Sequence, residues 1–353
     1  MKTLSINETT DLIANAGHTL TVLVQGEMGS GKSSMLKALA KRFPEHHTVY
    51  CDMTTKDVGD FLIPKVMTKD GVEVTAFIPN EEFGFHLNKP VIVMLDEVGK
   101  CSKAVLNASL RLMLERQLGS YTLPEGSIVF GTTNLSAEGI GDNLPPHMRN
   151  RVCVVKMRKP TAIEWVENYA IHRDIEPIVI GTVLEFPSML ASFEDYNTPE
   201  ANQYIYDPRS PRAAFVTPRS LEAASRVIRA TSSLGNDVMT HALIGTIGER
   251  AAMDMMAMVR LNLDLPRWKD ITTAPMTTAV PVNAAAACML IDKATMTIER
   301  DTIDAWLQYL GRMSAESQGL FARMITRNNT PKRTLVMENK HFTQLCIDKS
   351  YLF

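Results

Sequence analysis

Residues 26–34 read GEMGSGKSS and follow directly on the apolar run LTVLVQ of residues 20–25. Gly26, Gly31, Lys32 and Ser33 fit the pattern GxxxxGK[ST]. In such a loop the glycines let consecutive backbone N–H groups turn inward around phosphate oxygens. The lysine reaches the β and γ phosphates and the hydroxyl ligates Mg²⁺, while the helix that follows points its positive end at the same anion. At average glycine usage the pattern arises by chance in roughly 1% of chains this long. Its placement between a strand and an amphipathic helix makes chance rarer still. We therefore expect Gly26, Glu27, Met28, Gly29, Ser30, Gly31, Lys32, Ser33 and Ser34 to cradle nucleotide phosphates.

Outward from the loop, short Val- and Ile-rich runs recur: HTVYCDM (47–53), PVIVMLD (90–96), SIVFGTTN (127–134) and RVCVVKM (151–157). Together with LTVLVQ they suit strands buried on both faces. Met35, Leu36, Leu39 and Phe43, and then Leu106, Leu110, Met113 and Leu114, recur at helical spacing between them. Alternating strand and helix predicts right-handed crossovers and a five-stranded parallel sheet. Two segments break the rhythm as hairpins: PKVMTKDGVEVTAFIP, turning at Lys69, Asp70 and Gly71, and QLGSYTLPEGS. After Pro160 the pattern is helical, apart from a Pro- and Tyr-rich loop from about 187 to 217. Met253, Met255, Met256 and Met258 read as a buried helix, and Lys332 and Arg333 fit an exposed basic loop as well as a phosphate contact.

Two strand ends carry further chemistry. Asp96 and Glu97 close an apolar strand, where ligands bind in open α/β sheets. Asp96 suits the Mg²⁺ shell and Glu97 suits a base that takes a proton from water. Acids are also common where a helix starts after a strand. Asn134 ends the next strand, where a neutral amide can orient water or contact a γ phosphate without adding charge. A plain turn asparagine is its rival.

The 353 residues are 45% hydrophobic and 22% charged, enough for two domains with cores. A formal net charge of -2 gives no bulk attraction to nucleic acid or anionic membranes. No apolar run reaches the roughly 18 to 20 residues that span a bilayer, and MKTLSINETT lacks a signal-peptide core, so a cytoplasmic protein without a membrane span is expected. The five cysteines, Cys51, Cys101, Cys153, Cys288 and Cys346, are scattered without a CxxC pair and read as buried reduced thiols.

These motifs resemble the AAA+ ATPases, and within them the MoxR-like branch. The likeness rests on GEMGSGKSS, the hairpin before PVIVMLDE, KAVLNASLRLMLERQLGSYTLPEG, FGTTN, LPPHMRNRV and TPRSLEAASRVI, and covers residues 1 to about 232. GTIGER through LDLPRWKDI is similar to the C-terminal part of one group of these proteins. The resemblance implies an AAA+ P-loop NTPase core over 1–158, a helical lid over 159–232 and a helical extension over 233–353. It implies ATP and Mg²⁺ as ligands, with Ser33 and Asp96 on the metal. It also implies that Arg151, with Arg149 as competitor, reaches a neighbouring subunit's nucleotide, and that Arg219 contacts the γ phosphate from the lid. An arginine supplied in trans contributes on the order of 10³ to 10⁵ in rate. Where the branch usually has Asn-Arg after the acidic strand end, this chain has Gly99-Lys100.

The function so implied is an ATP-hydrolysing motor. It would act as a homo-oligomer, a ring of six, and remodel a protein client or work with a partner carrying a von Willebrand factor A-type domain. A nucleic-acid motor or loader is the alternative. It is disfavoured because Lys65 and Lys69 on the first hairpin are offset by Asp70 and Glu73. A GTPase lacks its NKxD motif, and a pure nucleotide switch needs neither Glu97 nor Asn134.

Overall fold

The computed structural model describes residues 3–135, 150–261, 265–327 and 330–348. The chain divides into two compact units, Met1–Lys159 and Pro160–Phe353.

The first unit begins with α1 (Ile6–Ala16), whose Ser5 and Glu8 form a capping box, and continues through β1 (Val22–Gly26), α2 (Ser34–Arg42) and β2 (His47–Asp52). There follow β3 (Leu62–Lys69), β4 (Val72–Pro79), β5 (Val91–Asp96), α3 (Lys103–Glu115), β6 (Gln117–Leu118), β7 (Tyr121–Thr122), β8 (Ile128–Thr133) and β9 (Cys153–Met157). Five strands form a parallel sheet in the order β2-β5-β8-β1-β9. This is the P-loop α/β fold of AAA+ proteins, with two hairpins inserted, β3-β4 and β6-β7.

The apolar runs do not alternate because the sheet is covered on both sides. On β5, Val91, Val93 and Leu95 enter one core with Val49, Phe61, Leu106 and Val129. Ile92 and Met94 enter the other, with Ile13, Met35, Leu39 and Phe130. All six β5 residues are buried. The expectation of burial on both faces fails at the sheet edges. β2 alternates, with Val49 and Cys51 buried but Tyr50 48% exposed, and β9 is only partly covered.

The first hairpin turns at Asp70 and Gly71, with φ of 52° and 80°. This is the two-residue turn whose twist matches that of paired strands. Register sets Ile63, Lys65, Met67 and Lys69 on one face with Ile78, Ala76, Val74 and Val72, and Val66, Glu73 and Phe77 on the other. Val72 and Val74 therefore do not share a face with Phe77. Where the hairpin meets α3 and β6, a cavity of about 270 Å³ is lined by Leu62, Phe77, Ala108, Arg111, Gln117, Leu118 and Gly119.

The second unit is helical and has one apolar core running from Ala162 to Phe342, with Trp165, Trp306, Tyr309 and Phe321 at its centre. TPRSLEAASRVI lies in the helix Pro218–Thr231, opened by a Thr217 cap and by proline at its first position. In the helix Glu249–Leu261, Met255, Met256 and Met258 are buried whereas Met253 is exposed. The 187–217 segment is braced internally. Arg209 donates to the Asn197 and Tyr196 carbonyls (2.7 and 3.0 Å) and to the buried Asp207, whose carboxyl it holds below the usual range.

Two expectations need correction. Arg333 opens a short helix to Met337, and Lys332 pairs with Glu299 at 2.6 Å, so this is no plain loop. All five cysteines are free, but only Cys51 and Cys288 are fully buried. Burial pushes the Cys51 thiol up to about 12. Among the described residues no helix is long and apolar enough to cross a membrane.

Candidate nucleotide site

Parallel pairing brings the C-terminal ends of β1, β8 and β5 side by side, and each end carries one part of the site. The loop after β1 bends where Gly29 and Gly31 take φ of 71° and 96°, a region that L side chains rarely enter. Gly26 is hemmed in as well: a Cβ there would lie 3.0 Å from the Ser30 hydroxyl and 3.1 Å from the Met157 carbonyl. Helix α2 then starts at Ser34, with Ser33 at its cap position.

Lys32 is buried and donates to the carbonyls of Gly26 (2.7 Å) and Glu27 (3.0 Å) and to Asn134 Oδ1 (2.7 Å). An ammonium can only donate, so the Asn134 amide is oriented with its oxygen toward Lys32. Its Nδ2 is left buried without a hydrogen-bond partner, and so is the Ser30 hydroxyl. Buried polar atoms of native proteins are nearly always paired. Two such groups beside a glycine loop fit phosphate oxygens or an ordered water.

Asp96 is 7% exposed, and its carboxylate is surrounded by donors. Oδ1 accepts from the Thr132 hydroxyl and from the Glu97 amide (3.2 Å), and Oδ2 accepts from Ser33 Oγ (3.3 Å) and from the Tyr50 phenol (2.8 Å). Hard oxygens from one carboxylate and one hydroxyl suit Mg²⁺, which usually takes one or two carboxylates and completes its shell with water and phosphate. Glu97 adopts left-handed backbone geometry, φ 58° and ψ 37°, and its carboxylate pairs with Lys100 at 2.9 Å. Lys100 thus places a cation on the acid next to Asp96. Non-glycine residues in this region are uncommon and cluster at active sites.

Beneath the loop, Glu27 and Lys159 form an ion pair at 2.7 Å with side chains only 7% and 5% exposed. Lys159 follows β9, whose Met157 pairs with Gly26.

The structure therefore brings together Lys32, Ser33, Asp96, Glu97 and Asn134. Arg151 is not among them. It is exposed and precedes the N-terminal end of β9, which runs parallel to β1 with Cys153 opposite Val22. It lies at the other end of the sheet from the loop, a strand length of about 17 Å away. Arg149 lies outside the described residues, as do residues 144–148 of the LPPHMRNRV motif and 263–264 of the LDLPRWKDI stretch. Arg219, the second residue of its helix, is exposed in the helical unit. Three residues of this site escaped the motif reading. Tyr50, Thr132 and Lys159 sit beside the site through strand pairing alone, and only the polar tail of FGTTN hinted at Thr132.

Comparison with known proteins bears on the first unit. No curated protein matches the chain. Among solved structures, a candidate ATPase from Cytophaga hutchinsonii is similar at 16% identity, covering 68% of this chain and 80% of that one, with a TM-score of 0.33. The RuvB Holliday junction branch migration motor of Thermotoga maritima is similar at 16% identity over 87% and 86% of the two chains, with a TM-score of 0.37. At these values neither carries an argument about function. Residues 21–141 match the family described as AAA domain, dynein-related subfamily. The stretch that holds the glycine loop, Asp96, Glu97 and Asn134 is thus the part of the chain similar to an AAA domain.

Proposed function

We propose that the chain is an ATP-hydrolysing, MoxR-like motor that assembles into a homo-oligomeric ring of six and remodels or activates a protein partner. The observation that carries the hydrolytic part is the meeting of Lys32, Ser33, Asp96, Glu97 and Asn134 at one end of the sheet. Lys32 neutralises the β and γ phosphates, and Ser33 and Asp96 hold Mg²⁺, which when bound offsets the charge of the transferring group. Asn134 donates its free amide hydrogens to the γ phosphate or to the attacking water. Glu97 takes a proton from that water as its oxygen bonds to the γ phosphorus and the bond to the β–γ bridging oxygen breaks, giving ADP and phosphate.

The MoxR-like assignment, the ring and the protein partner rest on the sequence resemblance. That resemblance implies either a protein client or a partner carrying a von Willebrand factor A-type domain. The finger role of Arg151 also rests on the resemblance; at the far end of the sheet from its own loop, it would serve a neighbour's nucleotide.

The test separates binding from chemistry. Lys32→Ala abolishes ATP binding, whereas Glu97→Gln retains binding and loses turnover by about 10² to 10⁴-fold, the usual worth of a general base. Wild-type ATP affinity in Lys32→Ala, or near-normal turnover in Glu97→Gln, overturns the assignment. A severalfold stimulation of turnover by DNA that collapses as salt rises would favour the nucleic-acid motor instead, because phosphate contacts release counterions.

A further inference from the structure

We infer that Tyr50 is a positioning residue for the metal-binding carboxylate, setting the orientation of Asp96 from the edge strand of the sheet. The inference rests on the reading of Ser33 and Asp96 as the Mg²⁺ site.

Tyr50 lies on β2 opposite Met94, two residues short of Asp96, and its phenol spans that offset to donate to Asp96 Oδ2 at 2.8 Å. Two residues of strand advance about 6.6 Å, close to the length of a tyrosine side chain. Phenylalanine has the ring without the donor, and serine or threonine would fall short. Packing does not account for the residue, since it is 48% exposed while its strand neighbours Val49 and Cys51 are buried.

The division of donors on Asp96 gives the phenol its role. Oδ1 is held by the Thr132 hydroxyl and the Glu97 amide. On Oδ2 the other donor is Ser33, at 3.3 Å, whose oxygen is itself a proposed metal ligand. The Tyr50 hydrogen bond is therefore the shorter restraint on Oδ2, and it comes from a side chain that is not itself a proposed metal ligand. Groups that orient a metal ligand in this way typically contribute 10- to 100-fold in metal affinity.

The test uses the full chain, a fluorescent non-hydrolysable ATP analogue and a Mg²⁺ titration. Tyr50→Phe should raise the Mg²⁺ concentration at half-maximal metal-dependent nucleotide binding about 10-fold. It should leave both nucleotide affinity in EDTA and the thermal midpoint unchanged, because the ring is kept and the edge packing with it. Asp96→Ala, run alongside, should lose the metal response. A wild-type Mg²⁺ midpoint in Tyr50→Phe overturns the inference, and so does a raised midpoint with an equal loss of metal-free binding, which marks a structural role. If the wild-type protein binds nucleotide without any Mg²⁺ response, the metal site itself falls and takes the inference with it. That outcome is distinct from a responsive wild type with an unaltered variant.

Discussion

Glu27 and Lys159 show what a single pair does beneath this loop. Both side chains are almost fully removed from water, so the pairing of their charges matters more than at the surface. Breaking a buried ion pair by removing one partner typically costs about 3–5 kcal/mol, whereas replacing both is milder. Lys159→Met should therefore lower the stability of the chain to urea by roughly that amount and weaken ATP binding, since Glu27 is part of the loop. Glu27→Gln combined with Lys159→Met should recover most of the loss. Denaturation curves for the two single variants and the pair form the check, and additive losses would show that the ions do not depend on each other. Glu97 is tuned differently. Its partner Lys100 sits three residues on in a short turn, with both side chains about a quarter exposed.

At the scale of elements, the β3-β4 hairpin stands apart from the central sheet. It is a two-stranded ribbon of its own, exposed along most of both strands, and an isolated ribbon is marginal unless something covers it. Among the described residues it packs at its base, where Leu62 and Phe77 meet Leu118 and Gly119. Register puts Lys65 and Lys69 on one face with Met67, Val72 and Val74, and leaves Glu73 on the other. The offset of charges assumed from the linear sequence thus does not hold on that face, yet the face is mostly apolar, which suits a polypeptide better than a phosphate backbone. Deleting residues 68–73 should leave the melting temperature, assembly and basal ATP turnover close to wild type, because the base and its contacts remain. Stimulation by a protein partner should be lost. If the truncated protein fails to assemble, the ribbon is structural rather than a gripping element.

For the whole molecule the decisive residue is Arg151. On the proposed reading it acts on a neighbour's nucleotide, since it is exposed beyond the N-terminal end of β9, a full strand length from its own loop. Arg151→Ala subunits should hydrolyse ATP poorly alone, with a loss on the order of 10³-fold or more if the residue neutralises the transferring phosphoryl group. Mixed with Lys32→Ala subunits, which keep the arginine but not the phosphate loop, they should regain activity at the boundaries that pair an intact loop with an intact finger. Co-purification of differently tagged variants shows that mixed assemblies form, and turnover is then read on them. No recovery in verified mixed assemblies would rule out action across a boundary.

The sequence alone determined the features whose causes are local. Strand alternating with helix, unbroken apolar runs and the hairpin insertions specify the AAA+ sheet, because these patterns depend on neighbours along the chain and on which faces must be buried. The glycine loop is local in the same sense: Gly29 and Gly31 stand where the backbone needs positive φ. Edges and cross-strand partners are different. That β2 lies at the rim, with Tyr50 exposed, follows from the strand order, which no single segment encodes. The hydrogen bonds from Tyr50 and Thr132 to Asp96 span 46 and 36 residues of sequence, and Glu27 meets Lys159 only because β9 closes against β1. These contacts came from the tertiary structure because parallel pairing, with its long crossovers, sets side by side strand ends that have no mutual signature in the chain.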